Sequence, residues 1–350
     1  MQSQDTKLTL KLDPWAASSL LQKAIRRGEA ELAQHAARTL YRQRGNAIWR
    51  RLIGIAFEDV GIAEPELVSE LTSLATDKTL RTVLGDDTGL MLDLVSRLAA
   101  APKDRSADYL FCAALKLSEG RREHERLSSI AFDELIAIAA DPSQPLMRRA
   151  VATLASCTVD GAGLNATCNP ALDQLVASLQ EDCPSPVHDA CALAARKGCD
   201  AIVLMVPLLW SVLSREAVPP TIEDCTVPPA ELIGVLPLHT FDKHTSAGKQ
   251  AILLFAQENR EVRDVFSQHV PEIATREVAL IAAFYADAMP VVRKLIWSQT
   301  HSLETLGLEA DMIGAGCPKP GITPIMECVI RNLADLNDVR RRLVMRRAGQ

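Results

Sequence analysis

Residues 25–63 constrain the fold more than any other stretch of the chain. Leu32, Ala36 and Leu40 recur at helical spacing before Gly45, and Trp49, Leu52, Ile53 and Ala56 do so after it. Two amphipathic helices meet at a glycine, and the second ends in the acidic turn Glu58-Asp59-Val60-Gly61. That period is helical rather than strand-like, so each apolar stripe needs another helix to cover it. Composition agrees: hydrophobic residues make up 48% of the chain but aromatics only 4%. Such a mix favours packed helices over sheets, which draw on aromatic and β-branched residues. The sequence predicts an all-α protein of multi-helix bundle blocks. Short helices in antiparallel-looking pairs suggest an irregular HEAT-like helical repeat, although no fixed period is present.

At 350 residues the chain can hold two or three cores. Asp13-Pro14 supplies an N-cap and a first-turn proline for a helix over 15–27. Helices are expected over 29–44 and 47–58, completing a first block at 1–65. A second block, 66–216, contains further helices, including one over 122–140. Residues 217–229 contain four prolines in thirteen positions and read as an extended linker. A third block, 230–350, is expected to hold helices over 230–238 and 290–297 and one final helix over 325–344.

Ile48, Arg50, Arg51, Leu52, Ala56, Glu58, Asp59, Val60, Gly61 and Ala63 form the pattern I-x-R-R-L-x-x-x-A-x-E-D-V-G-x-A. Residues 20–65 resemble the helical collar of the replication-associated recombination protein A family, clamp-loader-like AAA+ ATPases. In that family the segment lies behind an ATPase module and helps subunits assemble at a replication fork. The resemblance implies that Arg26, Arg27, Arg50, Arg51, Glu58 and Asp59 carry contacts between subunits or with a partner ATPase. It does not extend to the motor, because no G-x-x-x-x-G-K-[ST] occurs. The nearest imitation, Ala247-Gly248-Lys249, runs into Gln250 and has Lys243 where the first glycine belongs. ATP hydrolysis lacks its loop amides, lysine and Mg²⁺-binding hydroxyl, so a scaffold without a cofactor is expected.

The net charge of −6 argues against a dedicated nucleic-acid binder, leaving only local patches for such contacts. Nine cysteines without an apolar N-terminal run suggest reduced thiols and a cytoplasmic protein. No uninterrupted apolar stretch approaches the ~18 residues of a membrane span.

Several constellations could carry chemistry. Glu58 and Asp59 are adjacent carboxylates, but Arg51 lies beyond i,i+4 reach of Glu58, so a partner from a neighbouring helix is expected. Arg26, Arg27, Arg50 and Arg51 form a basic cluster diluted by Glu29 and Glu31. His239, Asp242, Lys243, His244 and Lys249 precede or open a helix capped by Thr245 or Ser246. Cations there suit an anion, because exposed amides and the helix dipole act together. No second ligand cluster accompanies the two histidines, so no metal is expected. Cys183, Cys191 and Cys199 lack a C-x-x-C pair and read as small hydrophobes. Arg340, Arg341, Arg342, Arg346 and Arg347 form a basic tail, able to grip nucleic acid or simply to complement a helix C-terminus.

No catalytic motif is present. The leading expectation is a non-catalytic assembly or accessory protein of replication or repair, contacting a protein partner or itself. The alternatives are direct DNA binding through the basic tail, and an enzyme with a site near His239 and His244.

Overall fold

The computed structural model describes residues 12–156, 174, 177–179, 185–197 and 201–348. Among them the chain forms eighteen α-helices and two small two-stranded sheets, an all-α fold. Asp13 caps α1 (Pro14–Arg26), its carboxylate accepting the Ala16 amide at 2.8 Å. α2 (Ala30–Arg44) stops at Gly45, whose φ of +55° is left-handed. α3 (Ala47–Ile55) buries Trp49, Leu52 and Ile53. It continues into one π-helical turn, Ala56–Val60, and a 3₁₀ turn, Gly61–Ala63. The wider turn admits an extra residue, and Asp59 is completely buried within it.

Seven helices of the middle of the chain follow: α4 (Pro65–Thr76), α5 (Lys78–Leu84), α6 (Asp87–Ala100), α7 (Ser106–Lys116), α8 (Ser118–Leu127), α9 (Phe132–Ala140) and α10 (Leu146–Ser156). The single helix expected over 122–140 is therefore two. Ser128 Oγ donates to the Glu125 carbonyl at 2.8 Å, and such side-chain competition for the backbone helps stop α8. α11 (Ser185–Arg196) and α12 (Met205–Leu213) complete this part. Pro207 sits in the first turn of α12, where its missing amide is tolerated. One hydrophobic core runs from α1 to α12 and also takes in later residues such as Leu236, Phe241, Phe284, Leu295 and Trp297.

The proline-rich stretch is tied down rather than free. Its centre forms β1 (Thr221–Asp224), antiparallel to β4 (Arg293–Ile296), with Thr221 opposite Ile296 and Asp224 opposite Arg293. The helix expected over 290–297 is absent and half of that stretch is strand, as Pro290 and the β-branched Val291, Val292 and Ile296 allow. Residues 230–238 also depart from expectation. They form the hairpin β2 (Leu232–Ile233) and β3 (Leu236–Pro237), turning at Gly234 with φ +61°.

A second core joins α13 (Ser246–Glu258), α14 (Arg260–His269), α15 (Thr275–Asp287), α16 (Thr300–Gly314), α17 (Ile322–Arg331) and α18 (Leu333–Ala348). The expected final helix breaks at Asn332, whose side-chain Nδ2 donates to the Cys328 carbonyl at 2.9 Å.

Three seams join the N-terminal and C-terminal parts of the chain. Lys103 bridges β4 through its amide to the Arg293 carbonyl at 2.8 Å, and the Leu295 amide returns to the Lys103 carbonyl at 2.9 Å. The Val292 amide reaches the Arg26 carbonyl at the end of α1 at 3.3 Å. α16 packs on α7 at Gly307, where a Cβ would lie 2.2 Å from the Tyr109 ring. Together these seams gather α1, the π turn, α7, α15, α16 and the loop before α13 around one cleft. None of the described helices is long and apolar enough to cross a membrane.

Candidate anion-binding site

The cleft has a volume of about 360 Å³. One face of α1 forms its longest wall: Trp15, Ser18, Ser19, Gln22, Lys23 and Arg26 recur three and four residues apart. Arg51 of α3 and Glu58 of the π turn stand beside that wall. Arg105 and the α7 residues Asp108, Cys112 and Lys116 form another side. Lys243 and His244 enter from the loop before α13, Phe284 from α15 and Asp311 from α16.

Two buried carboxylates hold the walls from beneath. Asp59 accepts Arg26 Nε at 2.7 Å, Gln22 Nε2 at 2.9 Å and a short bond from Arg105. Gln22 also donates to Glu58 at 2.6 Å, so the acidic pair finds its partner on the neighbouring helix α1. Asp242 accepts Lys23 Nζ at 2.7 Å and the His244 amide at 2.9 Å. Ser19 Oγ completes this second knot, donating to the Thr240 carbonyl at 2.8 Å and accepting from Lys23 at 2.6 Å.

Local backbone chemistry positions the loop. Thr245 Oγ1 accepts the Gly248 amide at 3.0 Å and caps α13. Gly248 lacks a side chain because the loop folds back onto it. Gly61 meets a similar need at the π turn, with φ +51° and space for only a hydrogen next to the Asp104 carbonyl.

Six cationic side chains line the cleft against three carboxylates, and Asp59 and Asp242 beneath raise the acidic count to five. Arg51 has no ion pair and donates to the Gln22 side-chain oxygen, and Lys243 has none either among the described residues. Its ammonium lies 4.2 Å over the Phe284 ring and has no hydrogen bond or ion pair among the described residues. Arg51 Nε and Arg105 Nε are buried donors that also lack an acceptor. Buried donors are ordinarily paired, so these two guanidinium donors, with the half-buried Lys243 ammonium beside them, mark a place for acceptor oxygens.

The proton affinities follow the same arrangement. Burial lowers the Lys23 ammonium to about 8 despite Asp242 beside it. Burial also lowers Lys243, although Asp311 opposes the shift. Although part of the His244 side chain reaches solvent, partial burial together with Lys243, Lys23 and Arg51 lowers its imidazole to about 4 against the pull of Asp242, leaving it neutral near pH 7. Burial pushes the Cys112 thiol up to about 12, which removes it as a thiolate nucleophile. Burial, Glu58 and Asp311 raise the Asp108 carboxyl against Arg105 and Arg26, making it the lining carboxyl best suited to donate a proton. Glu58 goes the other way: burial raises it, but Arg51, Arg105 and Arg26 prevail and hold it ionised.

The structure thus brings together two sets of residues that are far apart in sequence. Arg26, Arg51, Glu58 and Asp59 meet Asp242, Lys243 and His244. Arg26 and Asp59 are buried, so they hold the cleft together and are not surface contacts. Arg27 turns to the proline-rich stretch, donating to the Pro228 carbonyl, and Arg50 lies on the exposed side of α3. His239 is buried apart from the cleft, and burial lowers its imidazole to about 2. Lys249 is exposed on α13 outside the lining. Among the described residues no group of histidines, cysteines and carboxylates is placed to hold a metal. Cys191 is buried in the core, whereas Cys183 and Cys199 lie outside the described residues.

The basic tail is corrected in one respect. Arg340 is fully buried, donating to the Phe241 carbonyl at 3.0 Å and to Asp287, and cannot touch a nucleic acid. It shares a helical stripe with Leu336 and Leu343, which carries it into the core. Arg341 pairs with Glu231 at 2.9 Å and Asp338 at 2.6 Å, and Arg342 pairs with Glu258. Arg346 is exposed, and the Arg347 side chain lies outside the described residues.

Lys23, Gln22, Arg105, Asp108, Lys116, Phe284 and Asp311 complete the cleft without belonging to any motif. A signal was available on α7, where Asp108, Cys112 and Lys116 stand four apart on one face. Comparison of the chain with family models, curated proteins and solved structures found no match.

Proposed function

We propose that the protein binds a small, multiply charged anion in this cleft, with phosphate-bearing compounds as the class that fits. The observation that carries this reading is the set of unsatisfied cationic donors, Lys243 Nζ, Arg51 Nε and Arg105 Nε, around a single cleft. Guanidinium and ammonium groups in a partly desolvated cleft form charge-assisted bonds to phosphate oxygens, about twice as strong as neutral ones. Prior pairing of the walls with Asp59 and Asp242 keeps the donors in place before the ligand arrives. Isothermal titration with pyrophosphate tests the reading. Saturable binding that weakens at least severalfold in Lys243→Ala and Arg51→Ala supports it. The absence of heat or thermal stabilisation with any phosphate compound overturns it.

A second reading keeps the assembly role implied by the collar resemblance. Beyond the collar-like stretch, α5 leaves Leu80, Val83 and Leu84 exposed, Val83 by 78%. Neighbouring apolar side chains on one short helix suit a protein partner better than water. Sedimentation velocity over a concentration series, with Val83→Glu as the control, tests self-association through this face.

A further inference from the structure

We infer that the anion is the phosphate end of a nucleotide, whose base stacks on Trp15; the inference rests on the anion-binding reading above. Trp15 lines the cleft yet is 66% exposed, in a chain whose other tryptophans are buried or partly buried. Its indole has no ring contact, cation–π contact or hydrogen bond among the described residues. The other aromatic in the lining, Phe284, is already engaged by Lys243 over its face and His244 at 5.4 Å edge-on. An uncovered indole beside a cationic space is the usual arrangement for stacking a base while its phosphate is held nearby.

The order of side chains along α1 supports the same ligand. The cleft-facing stripe begins with Trp15, passes through Ser18, Ser19 and Gln22, and ends with Lys23 and Arg26. Aromatic, hydroxyl or amide, then cation is also the order of base, sugar and phosphate. Trp15 and Lys23 are about 12 Å apart along the helix axis, the reach from a base to the end of a short polyphosphate. Lys243 and Arg51 then supply the donors that lack acceptors, while Lys23 and Arg26 contribute field from their buried pairs.

The test compares adenosine 5′-monophosphate with ribose 5-phosphate, which carry the same phosphate, by calorimetry on the full chain and on Trp15→Ala and Trp15→Phe. Stacking of one base predicts a preference for the nucleotide on the order of 5- to 150-fold. That preference disappears in Trp15→Ala and survives in Trp15→Phe. Equal affinity for both ligands in the unmodified protein overturns the nucleotide inference but leaves the anion site standing. A preference unchanged by Trp15→Ala overturns the stacking assignment. Failure to bind pyrophosphate, ribose 5-phosphate or the nucleotide defeats the anion reading, and the inference falls with it.

Discussion

Lys23 Nζ lies 2.7 Å from Asp242 Oδ2, both side chains essentially removed from water, although the residues are 219 positions apart. The pair fastens α1 to the loop that presents Lys243 and His244. Removing one member of a buried pair strands the other, at a cost of roughly 3–5 kcal/mol. Asp242→Ala should therefore lower the unfolding free energy by about that amount in urea titrations. The Lys23→Met/Asp242→Ala double variant should lose less than the sum of the two single losses. The pH dependence has a definite sign. Burial alone would raise the Asp242 carboxyl, but Lys23, His244 and the hydrogen bonds prevail and hold it below its ordinary value. A depressed folded-state value means stability present above the unfolded carboxylate range, and lost as pH falls through the folded-state value. Asp242→Ala should show less of this acid loss.

Asp59 serves a different end of the cleft, and its removal separates stability from binding. It is the shared partner of Arg26 and Arg105 and is completely buried. Asp59→Asn should destabilise the fold by roughly 3–5 kcal/mol, because two guanidinium groups lose their counter-charge. In the folded fraction the asparagine carbonyl still accepts from Arg26 and Arg105 and keeps them in place while one negative charge is gone, so pyrophosphate affinity should be unchanged or higher. Lys243→Ala should do the opposite, with little effect on stability and weaker binding. Denaturant titration and calorimetry on the two variants read both quantities.

Gly248 is the glycine on which the loop depends. A Cβ built there would stand 2.1 Å from the Asp242 carbonyl oxygen and 2.3 Å from the Phe241 carbonyl carbon. Both are backbone atoms of the loop itself, so relief requires the loop to move. Gly248→Ala should cost roughly 1–3 kcal/mol as an overpacking substitution. It should also weaken phosphate binding, because the displaced segment carries Lys243. A melting temperature and affinity equal to the unmodified protein's would show that the loop has slack.

Much of the fold was legible because helix formation is local. Asp13-Pro14, Gly45 and Thr245 each act within a few residues, and each terminates or starts a helix where expected. β4 was not legible, since Arg293–Ile296 becomes a strand only by pairing with Thr221–Asp224, about seventy residues earlier. The cleft was half legible. The sequence singled out Arg26, Arg51, Glu58 and Asp59 in one place and Asp242, Lys243 and His244 in another, without any local sign that they meet. Arg340 belongs by composition to the arginine-rich tail, but its spacing from Leu336 and Leu343 places it on the apolar stripe of α18.

Anion binding should pass through a maximum between about pH 6 and 8. Burial sets the Lys23 ammonium at about 8 in the free protein. A bound anion favours the charged ammonium, so above that value binding must take up a proton, and affinity falls by up to about tenfold per pH unit. Lys243, also lowered by burial, adds to the loss in the same direction. On the acid side a phosphate monoester gives up its second charge near pH ~6, and affinity falls as the ligand becomes monoanionic. His244 lies too low, at about 4, to compensate before that point. Calorimetry from pH 5 to 10 in buffers of differing ionisation heat checks both limbs. In Lys23→Met the alkaline limb should flatten while the acid limb stays, because the acid limb belongs to the ligand. An alkaline limb unchanged by that substitution would assign it to Lys243 instead.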